Sequence, residues 1–311
     1  MDAESNTWFV IINPTSGNGS SKKHWPKIKS LLETHLFDFE FAFTTHSKHS
    51  TTLVHQAIKN GITNIICIGG DGTLHNILNG IMTQNDFLSS EIKVGIIPIG
   101  TGNDWIKTHH IPLDFEAAIQ IIKNGVLATQ DIGKLVIKNS SKPAVFFNNL
   151  AGVGFDGLVV SKVGKHKHIG ALAYLYGTLV SLFSFRNFDS KVGLNSEVIS
   201  GKTLMILIGI CKYSGGGMQL TDKPDPFDGL LDVTIAQDFR KFEIIKNLVK
   251  LFNGTITENK KVVSLKTKSV TVQFNQENAP YIQADGELIG TGNMEVSLIE
   301  KAFSFYTKPP N

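Results

Sequence analysis

The sequence has little cysteine and no recognisable metal-binding pattern. Its two cysteines, Cys67 and Cys211, stand in apolar runs, which favours buried core residues in a reducing compartment over a disulfide. The ten histidines form no HExxH pattern and no Cys/His ligand spacing, so a structural zinc site is not expected. A net charge of +3 is too weak to indicate nucleic-acid binding.

Targeting and membrane-spanning signals are also lacking. The first five residues are acidic and lack the basic-then-apolar order of a signal peptide. The uncharged stretch 169–185 is short for a membrane span and contains two glycines, so a buried helix is the favoured interpretation. These features predict a cytoplasmic protein.

The composition is that of a folded, well-packed chain. Hydrophobic residues make up 41% and charged residues 18% of 311 residues, which excludes extensive disorder. A chain of this length is expected to form two domains.

The first part of the chain alternates strands with helices. Apolar runs and helical spacing predict strands at 8–13, 37–44, 65–68 and 94–97, and helices from Ser20 or Ser21, over 53–58 and over 73–82. Such alternation with short loops predicts a parallel sheet covered by helices, with ligands at the carboxyl ends of the strands.

From about Asp131 the pattern changes to short β-branched segments separated by turn residues. These segments lie at 135–138, 144–148, 204–210, 231–235, 262–265 and 270–274. They predict an antiparallel, sandwich-like second domain, interrupted by helices near 168–185 and 240–252. A last strand at 302–306 is a candidate to return to the first domain.

Three glycine-rich turns fall at predicted strand ends in the first part: NPTSGNG at 13–19, GGDGT at 69–73 and GTGND at 100–104. Glycine lets the backbone approach a phosphate closely, and helix N-termini add a favourable field. The G-x(4)-G-K-[ST] motif is absent, so this is not a P-loop protein. The segment 17–19 also lacks the third glycine of the dinucleotide fingerprint.

Acidic residues accompany these turns. Asp71 or Asp104 alone would be interpreted as a helix cap, but together at one sheet edge they favour a metal–nucleotide site. The segment ADGE at 284–287 could place two carboxylates on one face of an extended strand. An ordinary Asp-Gly hairpin turn is the alternative that these residues alone favour. The segment 224–232 is another acidic turn, and an ordinary loop without a site is its alternative interpretation.

The order and spacing of these motifs resemble the diacylglycerol kinase catalytic-domain family, which includes bacterial lipid kinases and sphingosine kinases. The resemblance rests on NPTSGNG at 13–19, GGDGTLHNIL at 69–78, PIGTGND at 98–104, DIGK at 131–134, FDGLLDV at 227–233 and DGE at 285–287. GGDG alone is shared with NAD kinases and phosphofructokinases. The set spans nearly the whole chain.

The resemblance implies an ATP-binding α/β domain over 1–132, completed by about 297–311. It also implies a β-rich lipid-substrate domain over 133–296, with the active site in the cleft between the two. The implied reaction uses ATP and Mg²⁺ to phosphorylate a lipid hydroxyl, with diacylglycerol or a related lipid as acceptor. The protein would then act peripherally at the membrane surface, and an exposed sheet edge would make a homodimer unsurprising.

The resemblance also assigns residues. Glu287 corresponds to the general base, and Asp285, Asp71 and Asp104 surround the phosphates and Mg²⁺. Asp131 belongs to a supporting charged network. Asp228, with backbone carbonyls near Asp225 and Leu230, matches a structural Mg²⁺ site. ATP contacts fall on Asn13, Pro14, Thr15, Ser16, Gly17, Thr45, Gly70, Asp71, Gly72, Thr73, Leu74, His75, Asn76 and Thr101.

One departure and three alternatives stay open. Bacterial relatives often carry a basic residue where this chain has Asn18, and Lys22, Lys23 and Lys107 are candidates to supply that charge. Helix 169–185 could line the acyl groove, with the basic run 162–168 facing anionic head groups, or it could pack in the core. An NAD kinase-like enzyme and a catalytically silent binding protein are the rival functions.

Overall fold

The computed structural model of the chain describes residues 7–163, 177, 180–181, 184–195, 197–274 and 279–309. The chain divides into two compact units. One contains the residues up to Gln130 together with those from Lys301 onward, and the other is Asp131–Glu300. The predicted helix 169–185 and the basic run 162–168 lie largely outside the described residues.

The first unit is built around a parallel sheet. Its strands are β1 (Trp8–Ile12), β2 (Phe39–Phe43), β3 (Asn64–Gly69) and β4 (Lys93–Pro98). They lie in the order β4–β3–β1–β2, and all neighbours are parallel. The end of the chain's last strand joins this sheet in parallel, where Ser304 pairs with Lys93 and Phe305 with Val94.

Helices follow the strands of the first unit, as the alternation predicts. They are α1 (Ser16–Thr34), α2 (His49–Lys59), α3 (Asp71–Thr83), α4 (Asp104–Thr108) and α5 (Phe115–Asn124). Residues 65–68 of β3 are all fully buried, which is typical of a parallel strand covered on both faces. The core between sheet and helices contains Val10, Ile12, Trp25, Ile28, Leu32, Ile66, Ile68, Ile97, Ile99, Ala118, Ile119 and Ile122.

The first turn of α1 is not regular helix. Gly17, Asn18 and Gly19 have φ angles of 58°, 56° and 84°, a left-handed conformation that glycine adopts freely and asparagine tolerates. The regular helix therefore follows this segment, in agreement with the predicted loop at 14–19 and helix start at Ser20 or Ser21.

The second unit consists mainly of antiparallel strands. These are β5 (Val126–Ile137), which enters from the first unit, β6 (Val145–Phe147), β7 (Leu150–Gly154), β8 (Phe188–Leu194), β9 (Glu197–Gly209), β10 (Leu231–Gln237), β11 (Val262–Thr267), β12 (Ser269–Phe274), β13 (Tyr281–Ala284), β14 (Glu287–Thr291) and β15 (Met294–Thr307), which ends in the first unit. The order is β14–β13–β7–β9–β8–β12–β15, with β10 between β9 and β11, and β6 beside β5. The predicted fold class is confirmed.

Among its described residues, the second unit contains the helices α6 (Phe155–Val163) and α7 (Lys241–Asn253). The sequence predicts α7 closely but misses α6, because its run of leucine and valine at 158–160 has no helical period. The sequence pattern does not single out β7 and β8 either. In the part of the chain that the structure describes, no helix combines the length and hydropathy that a membrane crossing needs.

Candidate active site

Three glycine-rich turns meet at one edge of the parallel sheet in the first unit. β1, β3 and β4 are adjacent and parallel, so the turns that follow them emerge side by side. The Asn13 side chain donates from Nδ2 to Thr73 Oγ1 at 3.1 Å, and the Ile99 N–H donates to the Gly69 carbonyl at 2.9 Å. The segments 13–19, 69–73 and 100–104 therefore form one surface.

Close backbone approach explains two of the glycines in this surface. A Cβ atom at Gly100 would lie 2.8 Å from the Cα atom of Gly70 and 2.5 Å from Asn103 Oδ1. A Cβ at Gly70 would lie 3.2 Å from Gly100 Cα. Side chains at either position would separate the two turns, and with them the backbone N–H groups available to an anion.

The Asp71 carboxylate ties the second turn to the third. Its Oδ2 accepts the Asp104 N–H at 3.0 Å, and its Oδ1 accepts the Trp105 N–H at 3.2 Å. Both donors belong to the first turn of α4, so Asp71 caps the N-terminus of a helix 33 residues further along the chain. An aspartate between glycines is thus needed to hold two turns together.

A second carboxylate lies beside the first. Asp104 is buried, and the Lys107 Nζ atom lies 2.9 Å from its Oδ1. A Cβ at Gly102 would lie 3.1 Å from Asp71 Oδ2 and 3.9 Å from Asp104 Oδ2, so both carboxylates border the same glycine. Such oxygen donors fit Mg²⁺ by their chemistry. Among the described residues, no group of three or more His, Cys, Asp or Glu side chains gathers as a metal site.

The predicted ATP contacts fall into buried and exposed groups. The side chains of Thr73, Leu74 and His75 are buried, so the start of α3 presents its backbone to a ligand. Asn76 lies one turn further along, and its side chain bonds back to the Gly72 carbonyl at 2.9 Å.

The exposed contacts come from the turns themselves. Thr15, Thr45 and Thr101 are exposed. Thr15 donates from both its N–H and its hydroxyl to Asn13 Oδ1, at 3.1 and 2.9 Å. The Thr45 N–H donates to His49 Nδ1 at 3.1 Å, which orders the segment after β2.

The candidates for the missing basic residue differ in their surroundings. Lys22 and Lys23 are exposed near the start of the regular part of α1, whereas Lys107 is paired with Asp104. Asn18 itself is exposed in a left-handed conformation. Which lysine supplies the charge stays a prediction.

In the second unit, the DGE motif forms a two-residue hairpin. Asp285 and Gly286 have φ angles of 48° and 75°, and Ala284 pairs with Glu287 across the turn. Positive φ at both central residues marks the type I′ turn for which Asp-Gly is a preferred sequence. The extended arrangement with Asp285 and Glu287 on one face is therefore wrong, because Asp285 occupies the turn and Glu287 begins β14. The hairpin alternative is confirmed.

The Asp285 carboxylate accepts three backbone hydrogen bonds. Oδ1 accepts the N–H groups of Asn149 and Leu150 at 3.0 and 3.1 Å, and Oδ2 accepts the Asn148 N–H at 3.2 Å. The Asp285 N–H in turn donates to the Leu150 carbonyl at 2.9 Å. Asp285 therefore fastens the hairpin that carries Glu287 to the start of β7.

A neighbouring contact was not predicted from the sequence. Gln283 donates from Nε2 to Asp156 Oδ2 at 2.6 Å, and its Oε1 accepts the Gly286 N–H at 2.8 Å. One buried amide thus joins Asp156 on α6 to the Asp285–Gly286 turn. The available signal was a single carboxylate within the apolar segment GVGFDGLVV at 152–160.

An apolar pocket borders Asp156. It is lined mainly by side chains of α6, β9, β10 and α7, among them Phe155, Val159, Leu204, Ile244 and Leu251. Among the described residues of this lining, Asp156 is the one ionisable side chain. A lining with few polar groups is typical of a site for an apolar ligand.

Asp156 makes the stability of the second unit depend on pH. Burial raises the pKa of its carboxyl from 3.8 to about 6, against the opposing effect of the Gln283 hydrogen bond. Between about pH 4 and pH 6 the folded state keeps a proton that the unfolded state has released, so stability falls as pH rises, by about 3 kcal/mol at most. We expect Asp156→Asn to remove this fall, since an amide does not ionise. Denaturant unfolding of both proteins across this range measures the difference, and a pH-independent difference would contradict it.

The other acidic residues that the family resemblance assigns are Asp131, Asp225 and Asp228, and they lie in one region of the second unit. The Gly229 N–H donates to Asp131 Oδ2 at 2.8 Å. The Leu230 N–H donates to Asp228 Oδ1 at 3.0 Å, and Lys266 Nζ donates to Asp228 Oδ2 at 2.6 Å. Asp225 Oδ1 accepts the Phe227 N–H. Lys266 is thus the cation beside Asp228, as Lys107 is beside Asp104, and a metal ion at Asp228 would have to displace it.

Known proteins resemble both parts of the chain. Residues 7–135 match the family described as "Diacylglycerol kinase catalytic domain", and residues 149–306 match the "YegS C-terminal NAD kinase beta sandwich-like domain". A protein named diacylglycerol kinase from Staphylococcus saprophyticus is 30% identical over 282 residues, which cover 90% of this chain and 88% of that protein. One with the same name from Mycobacterium tuberculosis is 27% identical over 298 residues, covering 94% and 92% of the two chains.

A solved structure resembles the fold as well. The crystal structure of a diacylglycerol kinase from Bacillus anthracis is 21% identical, covers 98% of this chain and 97% of its own, and has a TM-score of 0.73. At this identity the likeness concerns the fold alone. The sequence matches cover both units and carry the functional assignment: the chain belongs to the diacylglycerol kinase family and is a lipid kinase.

Proposed function

We propose that the protein transfers the γ-phosphoryl group of ATP, with Mg²⁺, to a hydroxyl group of diacylglycerol or a closely related lipid. The observation that carries the proposal is in the second unit. An apolar pocket is bordered by Asp156, and the carboxylate of Asp156 is hydrogen-bonded, through Gln283, to the turn that precedes Glu287. The names of the relatives supply diacylglycerol as the first substrate to test.

The first unit would bind the nucleotide. Its three adjoining turns offer backbone N–H groups and the N-terminus of α3 to phosphate oxygens, which are favourable positions for negative charge. Asp71 and Asp104 would hold Mg²⁺, which when bound neutralises charge on the phosphates. Asp71 keeps its capping role in this scheme, because each carboxylate oxygen has more than one lone pair.

The second unit would supply the base. As the lipid hydroxyl oxygen forms its bond to the γ-phosphorus, the bond from that phosphorus to the bridging oxygen breaks and ADP leaves. The hydroxyl proton passes to the Glu287 carboxylate. Phosphoryl transfer depends mainly on positioning and electrostatics. The bonds of Asp285 to the start of β7 and of Gln283 to Asp156 and Gly286 fix the hairpin that carries Glu287, so they matter for the rate.

We expect Gln283→Leu to lower kcat by about tenfold or more without changing the KM for ATP. Leucine has nearly the same size but removes both hydrogen bonds, so the Gly286 N–H loses its acceptor and the turn loosens before Glu287. Small displacements of a positioned catalytic group have effects of this order. Gln273→Leu, at an exposed position on β12, is the matched control and should behave like wild type. A wild-type kcat for Gln283→Leu would exclude a positioning role.

The proposed function is tested by following label from γ-phosphate-labelled ATP into acceptors dispersed in mixed micelles with Mg²⁺. The acceptors are diacylglycerol, monoacylglycerol, phosphatidylglycerol, a sphingoid base and undecaprenol, with NAD as the nucleotide acceptor. We expect label in diacylglycerol or one related lipid. Label in NAD alone, or in no acceptor while ATP still binds, would overturn the proposal in favour of one of the two rival functions.

A further inference from the structure

Helix α7 of the second unit exposes a row of large apolar side chains. Phe242, Ile245, Val249 and Phe252 are 61%, 54%, 73% and 42% exposed. Their spacing of three, four and three residues places them within an arc of roughly 80° on one side of the helix. We call these four residues the α7 stripe. A contiguous exposed apolar patch of this kind marks an interaction surface.

The opposite side of the same helix lines the apolar pocket. Ile244, Asn247 and Leu251 contribute to the pocket wall, and Ile244 packs in a core cluster with Phe155 and Phe239. Helix α7 is therefore apolar on two sides, one facing the pocket and the other facing outward. The packing of the second unit accounts for the first side only.

Basic residues border the α7 stripe on both sides. Around the helix axis, Lys241 lies next to Phe252 and Ile245 on one side of the stripe. Lys246 and Lys250 lie next to Phe242 on the other side. The acidic residue of the helix, Glu243, is engaged elsewhere, since its carboxylate accepts from Lys261 Nζ at 2.8 Å and from the Arg240 N–H at 2.7 Å. Apolar side chains flanked by lysines match the arrangement of helices that lie in the interface of an anionic membrane.

We propose that α7 docks the protein on an anionic lipid bilayer, with the α7 stripe inserted among the acyl chains and the flanking lysines on lipid phosphates. The inference rests on the proposed function, in which a lipid is the substrate. Helix α7 would then separate the bilayer from the pocket, and the lipid substrate would enter the pocket beside this helix. Charge complementarity selects the partner, since the cationic border suits a negatively charged surface. Apolar side chains alone would fit a neutral partner equally well.

The test is binding of the full chain to sedimented vesicles of phosphatidylcholine containing phosphatidylglycerol, without nucleotide. We expect Val249→Glu to lower the vesicle partition coefficient roughly tenfold or more, since a charge replaces an inserted side chain. Val198→Glu is the matched control, because Val198 on β9 is 68% exposed and undergoes the same change. Equal partition of Val249→Glu and Val198→Glu would overturn the proposal.

A second pair of measurements separates charge from self-association. The double variant Lys246→Gln/Lys250→Gln should bind phosphatidylglycerol vesicles more weakly and with a weaker salt dependence, whereas an unchanged salt dependence would contradict the role of the lysines. A wild-type dimer that Val249→Glu converts to a monomer, with vesicle binding unchanged, would assign the α7 stripe to a second copy of the chain instead. Thermal unfolding confirms that each variant folds. Vesicle binding is read without catalysis, so it can succeed even if no lipid is phosphorylated.

Discussion

The Glu287→Gln variant is expected to lose about 100- to 10,000-fold in kcat, the range that a general base contributes to a reaction rate. Glutamine keeps the size of the side chain at the first position of β14 but does not accept a proton at neutral pH. The hairpin is fixed by hydrogen bonds of the Asp285 carboxylate, the Gly286 N–H and the Gln283 side chain, none of which the substitution changes. The hairpin should therefore keep its conformation while the chemical step fails.

The readout must separate chemistry from binding. We expect calorimetric titration to give the same Kd for ATP in Glu287→Gln as in the wild type, because the proposed nucleotide contacts lie in the first unit. Glu197→Gln provides a matched control, since Glu197 is exposed and also begins a strand of the second unit, β9. Near wild-type turnover in Glu287→Gln would remove Glu287 as the base and leave the lipid kinase assignment in place.

Asp285→Ala is expected to have the largest effect on stability. It leaves three backbone N–H groups, at Asn148, Asn149 and Leu150, without their acceptor. Hydrogen bonds to charged groups contribute about 1.5–3 kcal/mol each, so a combined loss of about 3 kcal/mol or more is expected. In a domain of this size that corresponds to a fall of roughly 6–12 °C in the melting temperature of the second unit.

Differential scanning calorimetry measures this effect, because it can resolve separate unfolding of two units. Asp189→Ala is the control, since Asp189 is exposed on β8 and the same atoms are removed. An Asp285→Ala protein that melts with the control would show that the three N–H groups find other acceptors, and that the carboxylate is available for a role at the phosphates.

Local patterns predicted those elements whose determinants lie within a few residues. The buried run at 65–68 forms β3, helical spacing at 240–252 forms α7, and Asp285–Gly286 forms the expected hairpin. In each case the residues that specify the conformation are sequence neighbours. The three glycine turns could also be brought together from the sequence, because parallel strand order places their ends at one edge.

The partners of the polar side chains could not be predicted in this way. Asp71 bonds to N–H groups 33 and 34 residues away, Asp285 to groups 135 to 137 residues away, and Gln283 to a carboxylate 127 residues away. Such contacts depend on how strands pack, and no local pattern encodes them. The family resemblance places Asp71 and Asp285 near the phosphates. In the structure both carboxylates also accept hydrogen bonds from backbone N–H groups.

The last strand of the chain has a consequence for biosynthesis. The first unit consists of two separated parts of the sequence, and β4 finds one of its neighbours only in residues 304–305 of β15. During translation the N-terminal segment therefore emerges long before this neighbour exists. Since residues 304–305 follow the second unit in the chain, the parallel sheet is completed only after that unit has left the ribosome. Until then the edge of β4 stays open, and pairing across such a sequence separation is slow.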